Sequence, residues 1–221
     1  MLSRPAAPTP TIATAVLLTA LLTGCGAGAD APREAAAPVA PSSPAPSCTP
    51  APLASRAAAT LVVGLPGVTS ADDALGRSVV DLGVGGLFLS EPNVESEEQV
   101  TALVDGLRER AGRPLLVATD EESGRVAVTR EIVGAGPSPR RLARERTPEQ
   151  VREYARGIGT RLKAVGVDLD LAPLLDLDAT APRGIIGDRS FSADPAVAAT
   201  YGLAFSAGLS DAGVRPTVKH F

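Results

Sequence analysis

The polar residues of this chain gather in short segments whose types suit acid–base chemistry or the gripping of a small polar ligand. One is Thr119-Asp120-Glu121-Glu122-Ser123-Gly124-Arg125-Val126, and another is Ala172-Pro173 followed by Asp176 and Asp178. Further on come Gly187-Asp188-Arg189-Ser190-Phe191 and then Lys219-His220-Phe221. A carboxylate offers acceptor oxygens only, and Arg and Lys offer donors only, so a mixed set can satisfy hydroxyl groups, which do both. Charge-assisted bonds contribute roughly 1.5–3 kcal/mol each, so Asp120, Arg189, Lys219 and His220 are candidate polar contacts wherever their segments converge. Each has a plainer reading as well. An Asp at a strand end often caps a turn, Arg189 could pair with Asp188 or Asp194, and His220 could be a satisfied core group. Asp168 and Asp170 alternate with leucines, which suits a shared face and a buried ion pair. With one His and two Cys, no metal set can be assembled, and neither a metal nor another cofactor is expected.

These segments follow apolar runs that read as strands: Leu61–Leu65, Gly86–Leu89, Leu115–Ala118, Val167–Leu171 and Val214–Val218. Helical patterns lie between them. One runs near Asp72 to Leu82. Ser96 and Gln99 form a capping box ahead of a Val100, Leu103, Val104, Leu107 stripe that Gly112 ends. Thr147-Pro148-Glu149-Gln150 combines cap, first-turn Pro and capping box before Val151, Tyr154, Ile158 and Leu162. Asp194-Pro195 opens a last helix with Val197, Tyr201, Phe205 and Leu209 on one face. Strand and helix alternate, which predicts an α/β fold of parallel strands covered by helices. About five strands and four helices are visible. A doubly wound open sheet could stop there, whereas an eight-stranded barrel could not close. No Gly-rich phosphate loop follows the first strand, which weakens the dinucleotide-binding version of the open sheet. In a barrel, the loops after the strands share one rim, and the polar segments would converge there.

The amino terminus has a different grammar. Arg4, an apolar stretch from Ile12 to Leu22 and then Leu22-Thr23-Gly24-Cys25 describe an export signal over residues 1–24. The apolar run is short of the about 20 residues needed to span a bilayer. Leu-Thr-Gly-Cys resembles a bacterial lipobox, which makes Cys25 the lipidated first residue of the mature protein, held at the outer face of the cytoplasmic membrane. An ordinary signal cut nearby, with an incidental Cys25, is the plainer alternative. Residues 25–52 are nearly all Ala, Pro, Ser and Gly, a semi-extended tether or a disordered stretch. Cys48 is either a free thiol or half of a disulfide. Residues 53–221 form the remaining domain.

Bulk properties narrow the partners. The chain of 221 residues has net charge −4, which gives no electrostatic reason to expect nucleic acid. Its 44% hydrophobic content allows a sizeable core, but aromatics are 3% and Trp is absent, so that core must rest on Val, Leu, Ile and Ala.

In their order and spacing, the segments at Asp120–Val126, Ala172–Leu177, Ile186–Phe191 and Lys219–Phe221 resemble the N-terminal domain of glycoside hydrolase family 3. The branch resembled is the bacterial β-N-acetylhexosaminidases, and the likeness runs from about Ala59 to Phe221. The resemblance implies an incomplete (β/α)8 barrel with about five of its eight strands and a carbohydrate substrate. It also implies that Asp120 accepts from adjacent hydroxyls of the non-reducing sugar while Arg189, Lys219 and His220 donate to the rest. Two departures bear on contacts beyond that sugar. Glu121, Glu122 and Ser123 stand where the family more often has Gln, Glu and Gly, and Val128 stands where a basic residue often follows. Family members cleave with retention, using a late Asp as nucleophile and, in this branch, a His acid/base. Both are expected beyond Phe221, so this stretch alone is expected to be inactive and poorly folded, with its fifth strand an exposed apolar edge. A silent sugar-binding lipoprotein, a family 3 β-glucosidase and a wall-spacing lipoprotein are the competing readings.

Overall fold

The computed structural model describes residues 49–180 and 182–220. The leader, Cys25, the tether as far as Cys48, and Phe221 lie outside the described residues. In chain order the strands are β1 (Val62–Gly64), β2 (Gly86–Phe88), β3 (Leu116–Thr119), β4 (Glu121–Ser123), β5 (Val126–Ala127), β6 (Leu169–Asp170) and β7 (Arg215–Pro216). The helices are α1 (Leu53–Ala58), α2 (Ala74–Asp81), α3 (Glu97–Ala111), α4 (Arg130–Val133), α5 (Pro139–Glu145), α6 (Pro148–Ala164) and α7 (Pro195–Asp211).

Five strands make one parallel sheet in the order β1-β2-β3-β6-β7, each beside its predecessor in that series. Alternation along the strands explains its two faces. Leu87 and Val117 turn to the helices and are fully buried with Leu103, Leu107 and Leu162. Their neighbours Val62, Phe88, Leu116, Ala118 and Leu169 turn the other way and, with Leu171 and Thr217, line an apolar concavity of about 350 Å³. A doubly wound sheet carries helices on both faces; one covered face and one concave face make the wall of an incomplete barrel.

Several local expectations shift. The fourth and fifth strands are shorter than their apolar runs, although the ladder continues past them: the Leu171 N–H donates to Thr119 O at 2.9 Å and Thr217 N–H to Asp170 O at 2.8 Å. The edge strand is not an apolar one, since Arg215 is exposed and Pro216 has no N–H to offer. The capping box at α6 is complete, with Thr147 and Gln150 exchanging bonds. The box at α3 is only half formed. Ser96 accepts from Gln99 N–H, but Gln99 Oε1 reaches back to Glu95 N–H, and its amide donates to Thr69 O. Asp168 is not buried with Asp170: it pairs with Arg108 at 2.6 Å and Lys163 at 3.0 Å near the surface.

Between β3 and α6 the chain builds what periodicity did not announce: the antiparallel β4–β5 hairpin and the short helices α4 and α5. Helices α6 and α7 pack closely, with Ala155, Ile158, Leu162, Phe205 and Leu209 buried and Arg152 bridging to Asp211 at 2.7 Å. Among the described residues, no helix is long and apolar enough to cross a membrane.

Candidate active site

Strand β3 ends at Thr119, and the next residue, Asp120, leaves the sheet at its carboxyl end. Lys219 arrives at the same rim just past β7, where Leu175 N–H donates to its carbonyl at 2.7 Å. Its ammonium bonds Asp120 and lies 2.5 Å from Glu122 Oε1. Glu122 is 1% exposed, and its other side is taken by Arg189, whose Nε and Nη2 each donate at 2.7 Å to the two carboxylate oxygens. The order Asp120–Lys219–Glu122–Arg189 thus joins three loops far apart in sequence. Alternating anions and cations allow four charges to share a largely dry site, because each buried charge has a partner.

The acids in this row behave differently. Burial raises Asp120 above the ordinary carboxylate range; the bond from Lys219 pulls it back without cancelling that, and neighbouring Glu122 adds to the rise. Burial acts on Glu122 too, but bonds from Arg189 and Lys219 outweigh it and hold this carboxyl low. Glu122 therefore stays charged and fixes both cations, while Asp120 is the carboxylate more responsive to an incoming donor.

Beneath the row lie two further acids. Asp170 at the end of β6 is fully buried. Its Oδ1 accepts from Glu121 N–H at 2.8 Å, and its Oδ2 has no partner. Burial lifts it well above the usual aspartate range, opposed by that N–H and reinforced by the nearby charges of Glu121 and Asp120. Glu121 is raised by burial as well, against bonds from Thr129 Oγ1 at 2.7 Å and Thr129 N–H at 3.0 Å.

Arg189 stands on a loop that other guanidinium groups hold. Arg140, from α5, donates to Asp178 O at 2.6 Å and Gly187 O at 2.7 Å. Arg125 pairs with Asp188 at 3.0 Å and donates to the carbonyls of Ile185 and Ile186 at 3.0 and 2.9 Å. Asp188 is thereby taken and Asp194 caps α7, so neither is the partner of Arg189. His220 follows Lys219 but turns outward. Its Nδ1 meets Asp176 Oδ2 at 2.8 Å, and its side chain is about half exposed.

Residues 61–221 match the family described as the glycosyl hydrolase family 3 N terminal domain. The chain belongs to glycosyl hydrolase family 3. It is 39% identical over 201 residues to the beta-hexosaminidase LpqI of Mycobacterium tuberculosis, an alignment covering 88% of this chain and 50% of that protein. It also matches the crystal structure of a GH3 family member from Mycobacterium smegmatis, with TM-score 0.67 and 38% identity over 77% of this chain and 51% of that one. A family 3 beta-N-acetylglucosaminidase from Paenibacillus sp. gives TM-score 0.70 at 29% identity, over 78% of this chain and 33% of that one. The chain spans about half the length of the curated relatives it matches.

In this family 3 chain, Asp120, Lys219 and Arg189 meet in one row, and His220 stands beside it through its backbone neighbour and Asp176. The sequence did not single out Glu122, which organises that row, because a Glu in a run of acids reads as a solvated turn. The signal was present in period 2: Asp120 and Glu122 are two apart along extended chain and share a side. Asp176 was legible as a loop acid but not as the partner of His220. Arg140 carried no signal, since a surface Arg in a charged helix is ordinary.

Proposed function

We propose that the protein removes terminal, non-reducing β-linked N-acetylglucosamine and that Asp120, Arg189, Lys219 and His220 hold that sugar. The observation that carries this reading is the row in which Lys219 bridges Asp120 and Glu122 while Arg189 grips the far side of Glu122. Its support is its place in a family 3 barrel whose relatives are named beta-hexosaminidases. Adjacent ring hydroxyls donate to Asp120, whose raised carboxyl gains from new donors, and the cations fixed by Glu122 donate to the hydroxyl oxygens. This orients one face of the ring and shields it from water. The groups that attack the anomeric carbon and protonate the leaving oxygen are assigned to the part of the protein matching the other half of those relatives, with retention of configuration.

The test uses the full-length protein and an aryl β-N-acetylglucosaminide. Release of the phenol, with the β-anomer as first product by NMR, is the expected result, and Asp120→Asn should lower kcat/KM at least roughly a hundredfold, two lost charged contacts' worth. Hydrolysis of the β-glucoside instead would move the protein to the glucosidases. Binding of N-acetylglucosamine without turnover would make it a silent binder.

We propose also that Cys25 carries a lipid and that the protein sits outside the cytoplasmic membrane. The support is the run from Arg4 through Ile12–Leu22 to Leu22-Thr23-Gly24-Cys25. Cys25→Ser should release the protein from the membrane fraction of cells; retention there would end this reading.

A further inference from the structure

Ser123 is the one described non-glycine residue with a positive φ, 70°. A serine persists in that region only where its surroundings over-determine it. The surroundings here are specific. Ser123 is 1% exposed, its Oγ donates to Pro137 O at 2.8 Å, and the same Oγ lies 2.7 Å from Tyr154 Oη. A serine hydroxyl has one proton, so with that proton on Pro137 the phenol is the donor to Ser123. Tyr154 is itself pinned from outside by the Arg146 guanidinium, 4.8 Å over its ring. The pair is also roofed by backbone: a Cβ at Gly136 would collide with both hydroxyl oxygens, and one at Gly124 would come within 2.8 Å of Ser138 Cα. Nothing in that packing needs a hydroxyl at 123; a glycine would take the same φ freely.

What the pair does reach is Glu122. On one flank of Glu122, residue 121 is anchored by Asp170 and Thr129. On the other, residue 123 is anchored to α6 through Tyr154 and, through Pro137, to the segment that caps α5. That helix supplies Arg140, which holds Asp178 and Gly187 on the loop carrying Arg189. We infer that the Ser123–Tyr154 hydroxyl pair is a positioning device for the sugar site, setting the Glu122 carboxylate and, with α5, the loop of Arg189. Both residues are positioning residues, acting through Glu122 and the loop of Arg189. The inference deepens the proposed function and uses its substrate as one readout.

The test is a set of variants of the full-length protein: Ser123→Ala, Ser123→Gly, Tyr154→Phe, and Ser123→Ala with Tyr154→Phe. With the aryl N-acetylglucosaminide, each single change is expected to raise KM roughly fivefold, the worth of about one hydrogen bond, with kcat little changed. The double variant should be no worse than the worse single. Ser123→Gly is decisive, because it relieves the backbone and should melt no lower than Ser123→Ala while showing the same KM rise. An unchanged KM in Ser123→Gly or Tyr154→Phe, or additive effects in the double variant, would overturn the inference. Amide hydrogen exchange without ligand keeps it separate from the reading of the reaction. Faster exchange at both 121–125 and 184–189 supports the device even if the wild-type protein cleaves nothing; unchanged exchange at 184–189 sinks it.

Discussion

Glu122 and Arg189, 67 residues apart, meet in a two-point ion pair in which both contacts are 2.7 Å and the carboxylate is fully buried. Breaking a buried pair by removing one partner costs about 3–5 kcal/mol, since the survivor is left uncompensated. Lysine cannot reproduce the planar fork. Arg189→Lys is therefore expected to keep the charge but lose the second contact, raising KM at least roughly tenfold, which is about 1.4 kcal/mol. Glu122→Gln should do more harm, because it removes the one charge that Lys219 and Arg189 both contact. Steady-state kinetics on both variants check this, and a Glu122→Gln enzyme no worse than Arg189→Lys would show that Glu122 does not organise the row.

The buried Asp170 gives a pH prediction with a definite sign. Its folded pKa is raised, so the folded state holds this proton more tightly than the unfolded chain does. Its contribution to stability is fully present below the unfolded aspartate value of about 3.9 and is lost as pH climbs toward the folded value. Asp170→Asn keeps the acceptor for Glu121 N–H and cannot ionise. Relative to wild type, the variant should gain stability as pH rises above about 4, with a flat difference in stronger acid. Urea melts at several pH values measure it. A difference that shrinks as pH rises would mean that Asp170 is charged and paired in the native protein.

The parts of this fold that the sequence made legible are those governed by short-range rules. Thr147 with Gln150, Asp194 with Pro195, and the Val151–Ile158–Leu162 stripe each carry their own signal, because caps and periodicity depend on neighbours three or four residues away. Ordered motifs also brought Asp120, Arg189 and Lys219 onto one rim. What stayed hidden depends on distant partners. Glu122 depends on Arg189, 67 residues away, and Ser123 on Tyr154, 31 residues away, and no local pattern announces either partner. The β4–β5 hairpin is too short for a period. Strands β6 and β7 are short although the ladder runs on past them, with Leu171 N–H and Thr217 N–H still donating to the neighbouring strand.

Helices α6 and α7 permit a last prediction in which one substitution has opposite signs at two sites. Gly157 lies exposed in the interior of α6, and a Cβ there would meet nothing within 4 Å. Gly208 on α7 is buried against the facing helix, where a Cβ would strike the Arg152 carbonyl oxygen and come within 2.8 Å of Ala155 Cβ. Gly157→Ala should stabilise by about 0.5–1 kcal/mol, since alanine gives up less backbone freedom on folding. Gly208→Ala gains the same entropy but must force two backbones apart, a strain of about 1–3 kcal/mol or more, and should also loosen the Arg152–Asp211 bridge. Thermal unfolding of the two variants beside wild type decides it. If both melt higher, the helices are not in the close contact that carries α7, and β7 after it, onto the sheet.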